Sequence, residues 1–162
     1  MQVKRKLNDR LTIIKSPRFA YSVTREFKHR YEATIGIGGN MGDVKRRFEH
    51  LFIELQREKR VELMKTSLIL KNPPFGYTEQ DDFLNSIIIL RTSLTPHKLL
   101  DYLLRLEKKF GRKRSFANAP RTLDLDMIFF DNRVINTPTL TIPHPFWSSR
   151  ESVVIPLSGM YL

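Results

Sequence analysis

Apolar and polar positions follow two different periods along this chain. From Met41 to Leu55 the apolar residues Met41, Val44, Phe48, Leu51, Phe52 and Leu55 recur every three or four positions, the period of one helix face. Asp43 stands where an N-cap would accept a free amide, and the pattern predicts a helix to about Arg57. A second helix is predicted after Thr95, with Pro96 at its first position. Leu99, Leu100, Leu103, Leu106 and Phe110 form its stripe, and Gly111 ends it. Around these helices lie short β-rich runs at 33–39 ("ATIGIGG"), 61–70 ("VELMKTSLIL"), 83–92 ("FLNSIIILRT") and 121–130 ("RTLDLDMIFF"). Segment 72–82 ("NPPFGYTEQDD") reads as a long loop, because tandem prolines cannot donate to a ladder.

The order is β-α-β-β-α-β, which predicts an α+β fold with a ferredoxin-like core: an antiparallel sheet with both helices on one face. Pro138, Pro143, Pro145 and Pro156 predict short strands and turns after Asp131. At 162 residues one domain is the default, and 41% hydrophobic residues suffice for a core. No apolar run exceeds four residues, as at 87–90, where a membrane helix needs about 20. The absence of cysteine excludes disulfides, thiolate metal sites and cysteine nucleophiles, and fits a reducing, cytoplasmic setting.

The net charge of +11 is concentrated in two places. Residues 1–31 carry nine Lys/Arg against two acids, and residues 108–121 carry six with no acid. The chain therefore divides into a basic N-terminal extension, 1–31, and a near-neutral domain, 32–162, with one basic loop. That distribution points to a local anion site rather than to a generally nucleic-acid-binding protein. The extension reads as a solvated charge run, ahead of a partner-binding arm, and deleting residues 1–28 is expected to leave the chemistry largely intact.

Asp124 and Asp126 are two positions apart in a predicted strand and so share a face, with Leu123, Leu125, Met127 and Phe129 on the other. Paired carboxylates in an apolar strand repel each other. A divalent cation of the Mg²⁺ type would relieve this, and so would solvation or arginine partners. The upstream arginines Arg112, Arg114 and Arg121 favour a phosphoryl-transfer arrangement, in which acids hold metal beside cations that bind phosphate. The glycines of "GIGGNMG" do not fit either nucleotide fingerprint: Met41 stands where a third glycine is needed, and no Gly-Lys-Ser/Thr follows. They read as a tight strand-to-helix turn. His144, pinned between Pro143 and Pro145, reads as a base, a phosphate contact or a hydrogen-bonded turn residue. Glu107, beside its helix's apolar stripe, reads as a salt bridge or a ligand contact, and Phe146 and Trp147 as packing.

Four stretches, "ATIGIGGNMGD", "NPPFGYTEQDDFLN", "FGRKRSFANAPRTLDLDMIFF" and "LTIPHPFWSSR…VIPL", resemble in order and spacing the 6-hydroxymethyl-7,8-dihydropterin pyrophosphokinases of folate biosynthesis. The resemblance runs from about Glu32 to Gly159. It implies transfer of the β,γ-pyrophosphate of ATP to the pterin hydroxymethyl group, with release of AMP. It further implies two Mg²⁺ ions on Asp124 and Asp126, and Arg112 and Arg121, with Arg114, on the phosphates. Glu107, Thr141, His144 and Arg150 would line the nucleotide pocket. Asn72, Pro73, Pro74, Phe75, Phe83 and Asn85 would bind the pterin. It implies a monomer or dimer acting on small molecules, without membrane or nucleic-acid partners.

The chain departs from the family pattern at Ser152, where a second stacking aromatic is common. It also departs at Asn118 and Ala119, in a loop one residue shorter, and in the extension itself. A nucleic-acid module of the same topology is the competing class. It would need aromatics on central strands, where the paired aspartates are expected instead.

Overall fold

In the computed structural model, which describes residues 3–113 and 116–161, the chain opens with β1 (Val3–Lys6), β2 (Thr12–Lys15) and β3 (Tyr21–Ser22). The predicted core follows as β4 (Tyr31–Gly39), α1 (Val44–Arg57), β5 (Val61–Thr66), β6 (Ile69–Asn72), β7 (Phe83–Thr92), α2 (Pro96–Lys109) and β8 (Asp124–Phe130). Two short strands, β9 (Ile135–Asn136) and β10 (Thr141–Ile142), and α3 (Glu151–Gly159) complete it. This is a mixed α+β fold on one large antiparallel sheet, with β9 and β10 as a second, small one. Among the described residues no helix is long and apolar enough to cross a membrane.

β7 is the spine of the sheet. It pairs along its length with β4, with β5 at its C-terminal half and with β6 at its N-terminal end. The run 61–70 is therefore two strands rather than one. At the break Ser67 replaces the ladder: its Oγ accepts the amide of Ile87 at 2.8 Å and lies 2.8 Å from the Ser86 hydroxyl.

The helices start and stop as their residues dictate. Asp43 caps α1 by accepting the amide of Arg46 at 3.2 Å, and Gly111 leaves α2 with φ +86°, a conformation glycine adopts without strain. Their apolar stripes bury Phe48, Leu51, Leu99 and Leu103 against Ile35, Ile37 and Leu125 on one face of the sheet. Each fully buried side chain of this size contributes roughly 1.5–3 kcal/mol. The opposite face carries a smaller cluster, Ile87, Ile89, Ile128, Val153 and Met160, under α3.

Three features differ from the sequence-based expectation. First, the extension is not a solvated arm. β2 adds to β6, β3 adds to β5, and Phe19 is fully buried in the core beside Phe48 and Phe52. Second, the alternation in β8 is interrupted by a bulge opposite Thr34 and Ile35. Met127 and Phe130 face the main core while Ile128 and Phe129 face the α3 side, where Phe129 meets Trp147. Third, α3 replaces an expected run of turns. Pro156 lies inside this short helix, which has no clear apolar period to announce it.

Candidate active site

The bulge leaves the beginning of β8 in strict alternation, so Asp124 and Asp126 point to the α3 side of the sheet. Opposite them on β4 stand Gly38 and Gly36. A side chain at Gly38 would collide with Asn85 on the next strand, its Cβ lying 2.4 Å from the Asn85 amide oxygen. The glycines thus keep the sheet surface bare, and a cleft of about 350 Å³ opens there. Carboxylates on β8 line one end, and Asn72, Phe75, Phe83 and Asn85 the other. Arg150 and Ser152, at the start of α3, form a wall. Asn85 donates to Asn72 Oδ1 at 2.6 Å, which orients both amides at the cleft floor.

Charges near the carboxylates are ordered. Arg112 Nη1 donates to Asp124 at 2.7 Å and to Glu107 at 3.1 Å, and Arg121 Nη1 donates to the second oxygen of Asp124 at 3.1 Å. Burial works against the charge of Arg112, but Asp124 and Glu107 hold it protonated more firmly than usual. Asp126 has no such hydrogen-bond partner among the described residues. Burial, followed by the charges of Asp124 and Glu107, pushes its carboxyl up to about 7, against the pull of Arg150 and Arg112. The site therefore holds one carboxylate hydrogen-bonded to two arginines and one that, among the described residues, has no such direct partner and feels Arg150 and Arg112 only at a distance.

Two loops frame the opening. Asn40, buried at the end of β4, accepts the amide of Arg121 at 2.9 Å and donates to Gln80 Oε1 at 2.8 Å and to the Asp81 carbonyl at 3.0 Å. Gln80 in turn donates to the Asn118 carbonyl at 2.9 Å, and Tyr77 packs edge-on against Phe116. Segments 72–82 and 112–121 are thus tied to each other and to the turn after β4. Arg121 lies over the Phe83 ring at 5.4 Å, linking the two ends of the cleft.

Residues 34–161 match the family described as 7,8-dihydro-6-hydroxymethylpterin-pyrophosphokinase (HPPK). The chain belongs to this family. It is therefore an enzyme of the pyrophosphokinase class. It is 43% identical over 141 residues to the 2-amino-4-hydroxy-6-hydroxymethyldihydropteridine pyrophosphokinase of Campylobacter jejuni, covering 87% of this chain and 88% of that one. It is 39% identical over 126 residues to the protein of the same name from Helicobacter pylori, covering 76% and 77%. A folic acid synthesis protein of Dictyostelium discoideum is 36% identical over 127 residues, 78% of this chain and 19% of that one. The Campylobacter match is longer than segment 32–162, so it takes in part of the N-terminal extension, which is not peculiar to this chain.

Most of the residues singled out from the sequence meet in the cleft: Asn72, Pro73, Pro74, Phe75, Phe83, Asn85, Arg121, Asp124, Asp126 and Arg150. Arg112 stands beside it through Asp124. Glu107 does not line it. Its side chain is buried behind Asp124, where it accepts the Leu125 amide at 2.7 Å and the Arg112 guanidinium. Thr141 is exposed on β10 and is not in the cleft wall. His144 is held at the edge of β8, its amide donating to the Ile128 carbonyl at 2.9 Å. Burial and the nearby Arg150 lower its proton affinity, while Asp124 raises it. Arg114 lies outside the described residues.

The aspartates do not lie on central strands, as the comparison with a nucleic-acid module supposed. Among the described residues β8 pairs with β4 alone and is an edge strand. The central strands β4 and β7 offer the cleft glycines and Asn85. Sequence reading missed Asn40, Arg10 and Leu11, and noted Asn118 only as a departure from the family pattern. Asn40 and Asn118 sit in recognised loops but carry no spacing signal, and the other two sit in the extension.

Proposed function

We propose that this enzyme binds ATP and 6-hydroxymethyl-7,8-dihydropterin side by side in the cleft and transfers the β,γ-pyrophosphate to the hydroxymethyl oxygen, releasing AMP, as a step of folate synthesis. The observation that carries the reading is that Asp124 and Asp126 open onto the same cleft as Asn72, Phe83 and Asn85. A phosphate-directed end and a heterocycle-directed end are within one small-molecule volume.

The pterin end suits a flat bicyclic ring. Phe83 offers a face for stacking, and the oriented amides of Asn72 and Asn85, with the backbone through Pro73, Pro74 and Phe75, match a row of ring donors and acceptors. At the phosphate end, Arg121 and Arg112 hold charge on the triphosphate oxygens, with Arg114, and His144 and Arg150 contact the nucleotide, whereas Thr141, exposed on β10 outside the cleft wall, takes no part in this reading. Glu107 acts through Arg112, fixing its guanidinium from behind.

Mg²⁺ fits the donor set. Asp126 offers a hard oxygen with no direct ion-pair partner among the described residues, Asp124 adjoins it, and among those residues no three His, Asp or Glu side chains gather to hold an ion alone. Asp124 and Asp126 alone would not complete an ion's oxygen shell, so they would hold Mg²⁺ together with the phosphates of a bound nucleotide. Two Mg²⁺ ions held by Asp124 and Asp126 would supply charge neutralisation along the triphosphate. The protein's own part is alignment: the acceptor alcohol is held in line with the β-phosphorus while arginines stabilise charge on the equatorial oxygens. His144, with lowered proton affinity, is a neutral phosphate contact rather than a strong base. Such chemistry on soluble substrates suits a cytoplasmic monomer or dimer.

The test is incubation with ATP, Mg²⁺ and the hydroxymethyl dihydropterin, with the nucleotide product separated by chromatography. AMP with pyrophosphorylated pterin is expected. ADP in its place overturns the reaction.

A further inference from the structure

The cleft has an end that the domain 32–162 does not close. Across the sheet its floor runs from the β8 carboxylates over the β4 glycines to Asn85 on β7 and Asn72 on β6. β2 is the next strand in that order. Thr12 pairs with Lys71, so the residue before it, Leu11, comes level with Asn72, which itself pairs with Phe83. Leu11 and Arg10 both line the cleft.

Their position is built rather than incidental. β1 and β2 form a hairpin whose turn is closed by the Leu7 amide on the Leu11 carbonyl at 2.8 Å. Asn8 Oδ1 accepts the amides of Arg10 at 2.8 Å and Leu11 at 2.9 Å, the kind of side-chain turn that fixes the following backbone. Leu11 is thereby buried at the floor. Arg10 reaches across the end of the cleft to Glu151, in the first turn of α3, at 3.4 Å. Beside Glu151 stands Ser152, a small residue that also lines the cleft.

We propose that the N-terminal hairpin is the end wall of the acceptor subsite and that Arg10 is a substrate-contacting residue there, its guanidinium lying on the flat heterocycle. The inference rests on the functional reading above, because it is the carboxylates at the opposite end that assign this end to the acceptor. A guanidinium suits the task. It is planar and weakly hydrated, and it stacks on π-systems, as Arg121 already does on Phe83 in the same cleft. Its ion pair with Glu151 is exposed on both sides, so little holds it back from a ligand.

The experiment is equilibrium binding of 6-hydroxymethylpterin to the full chain, with Mg²⁺ and a non-hydrolysable ATP analogue. It compares wild type, Arg10→Ala and Arg10→Lys, with analogue affinity and Tm measured for each. Arg10→Ala is expected to weaken pterin binding by roughly tenfold while leaving analogue affinity and Tm unchanged. Arg10→Lys should recover only part, since it keeps charge without the plane. Pterin affinity within twofold of wild type in Arg10→Ala overturns the inference alone. Loss of pterin and analogue binding together with a lower Tm also overturns it, since Arg10 would then be structural. A wild-type protein that binds no pterin overturns the functional reading and this inference with it.

Discussion

Arg112 and Asp124 are joined by a 2.7 Å hydrogen bond at the mouth of the cleft, and the same Nη1 continues to Glu107 at 3.1 Å. The guanidinium is thus shared between an acid that faces the cleft and one sealed behind it. With Arg121 on the other oxygen of Asp124, acids and bases alternate, and among the described residues Asp126 is left without a direct ion-pair partner.

Glu107 should therefore matter out of proportion to its distance from any ligand. Glu107→Ala removes the acceptor for a buried amide and one of the two acids around a mostly buried guanidinium. The expected loss of stability is about 3–5 kcal/mol. Glu107→Gln keeps an acceptor for Leu125 and should lose less. Urea denaturation of both variants checks this, and equal stability of Glu107→Ala and wild type would contradict it.

Asn40 ties three segments together with one amide group. Asn40→Ala should leave helices and sheet intact but loosen Arg121 from the 72–82 loop, leaving the Gln80–Asn118 bond and the Tyr77–Phe116 contact between the two segments. Each lost hydrogen bond contributes about 1 kcal/mol, and positioning errors of about 1 Å can cost on the order of 100-fold in rate. Steady-state kinetics should show kcat/KM falling for both substrates, with little change in far-UV circular dichroism.

Where sequence patterns reflect local physics, they carried through to structure. The stripes of α1 and α2, the Asp43 cap, the Gly111 stop and the shared face of Asp124 and Asp126 each follow from one stretch of chain. What was not legible depended on distant partners. The β8 bulge moves Phe129 to the other face, and nothing within that segment announces it. Glu107 reads from its helix position as a salt bridge or a ligand contact; the structure shows the salt bridge, and that position could not reveal that Arg112 and the Leu125 amide would be the partners. The extension misled most, because its nine basic residues mask Leu11, Ile14 and Phe19, all buried in the fold.

Phe19 makes that last point testable. Its ring centroid lies 5.7 Å from that of Phe48 and 6.2 Å from that of Phe52, and the side chain is fully buried. Phe19→Ala should cost about 3–5 kcal/mol. Deleting residues 1–28 removes this side chain together with β2 and β3, so the truncated chain should be severely destabilised and inactive, contrary to the expectation from composition. Chemical denaturation of Phe19→Ala and the solubility of the truncation are the measurements. A truncated chain with native stability would show that the extension lies outside the core after all.

Asp126 gives the protein a pH dependence with a definite sign. An unfolded aspartate titrates near 3.9, whereas in the fold burial and the charges of Asp124 and Glu107 hold this one at about 7. Below about pH 4 the carboxyl is protonated in both states and costs nothing. Between about 4 and 7 the unfolded chain releases the proton and the folded one keeps it, so stability falls as pH rises and levels off above 7. A cation at Asp126 needs the ionised form. Mg²⁺ with an ATP analogue should then raise Tm more at pH 8 than at pH 5. Asp126→Asn should remove the pH-dependent loss, and at pH 8 without Mg²⁺ it should melt higher than wild type, at about 2–4 °C per kcal/mol recovered. The same substitution should cut turnover by roughly 100-fold or more. A variant that is more stable yet inactive separates a carboxylate kept for ligand binding from one kept for folding. If Asp126→Asn instead melts lower at pH 8, the carboxylate is supporting the fold, and the site has been assigned to the wrong residue.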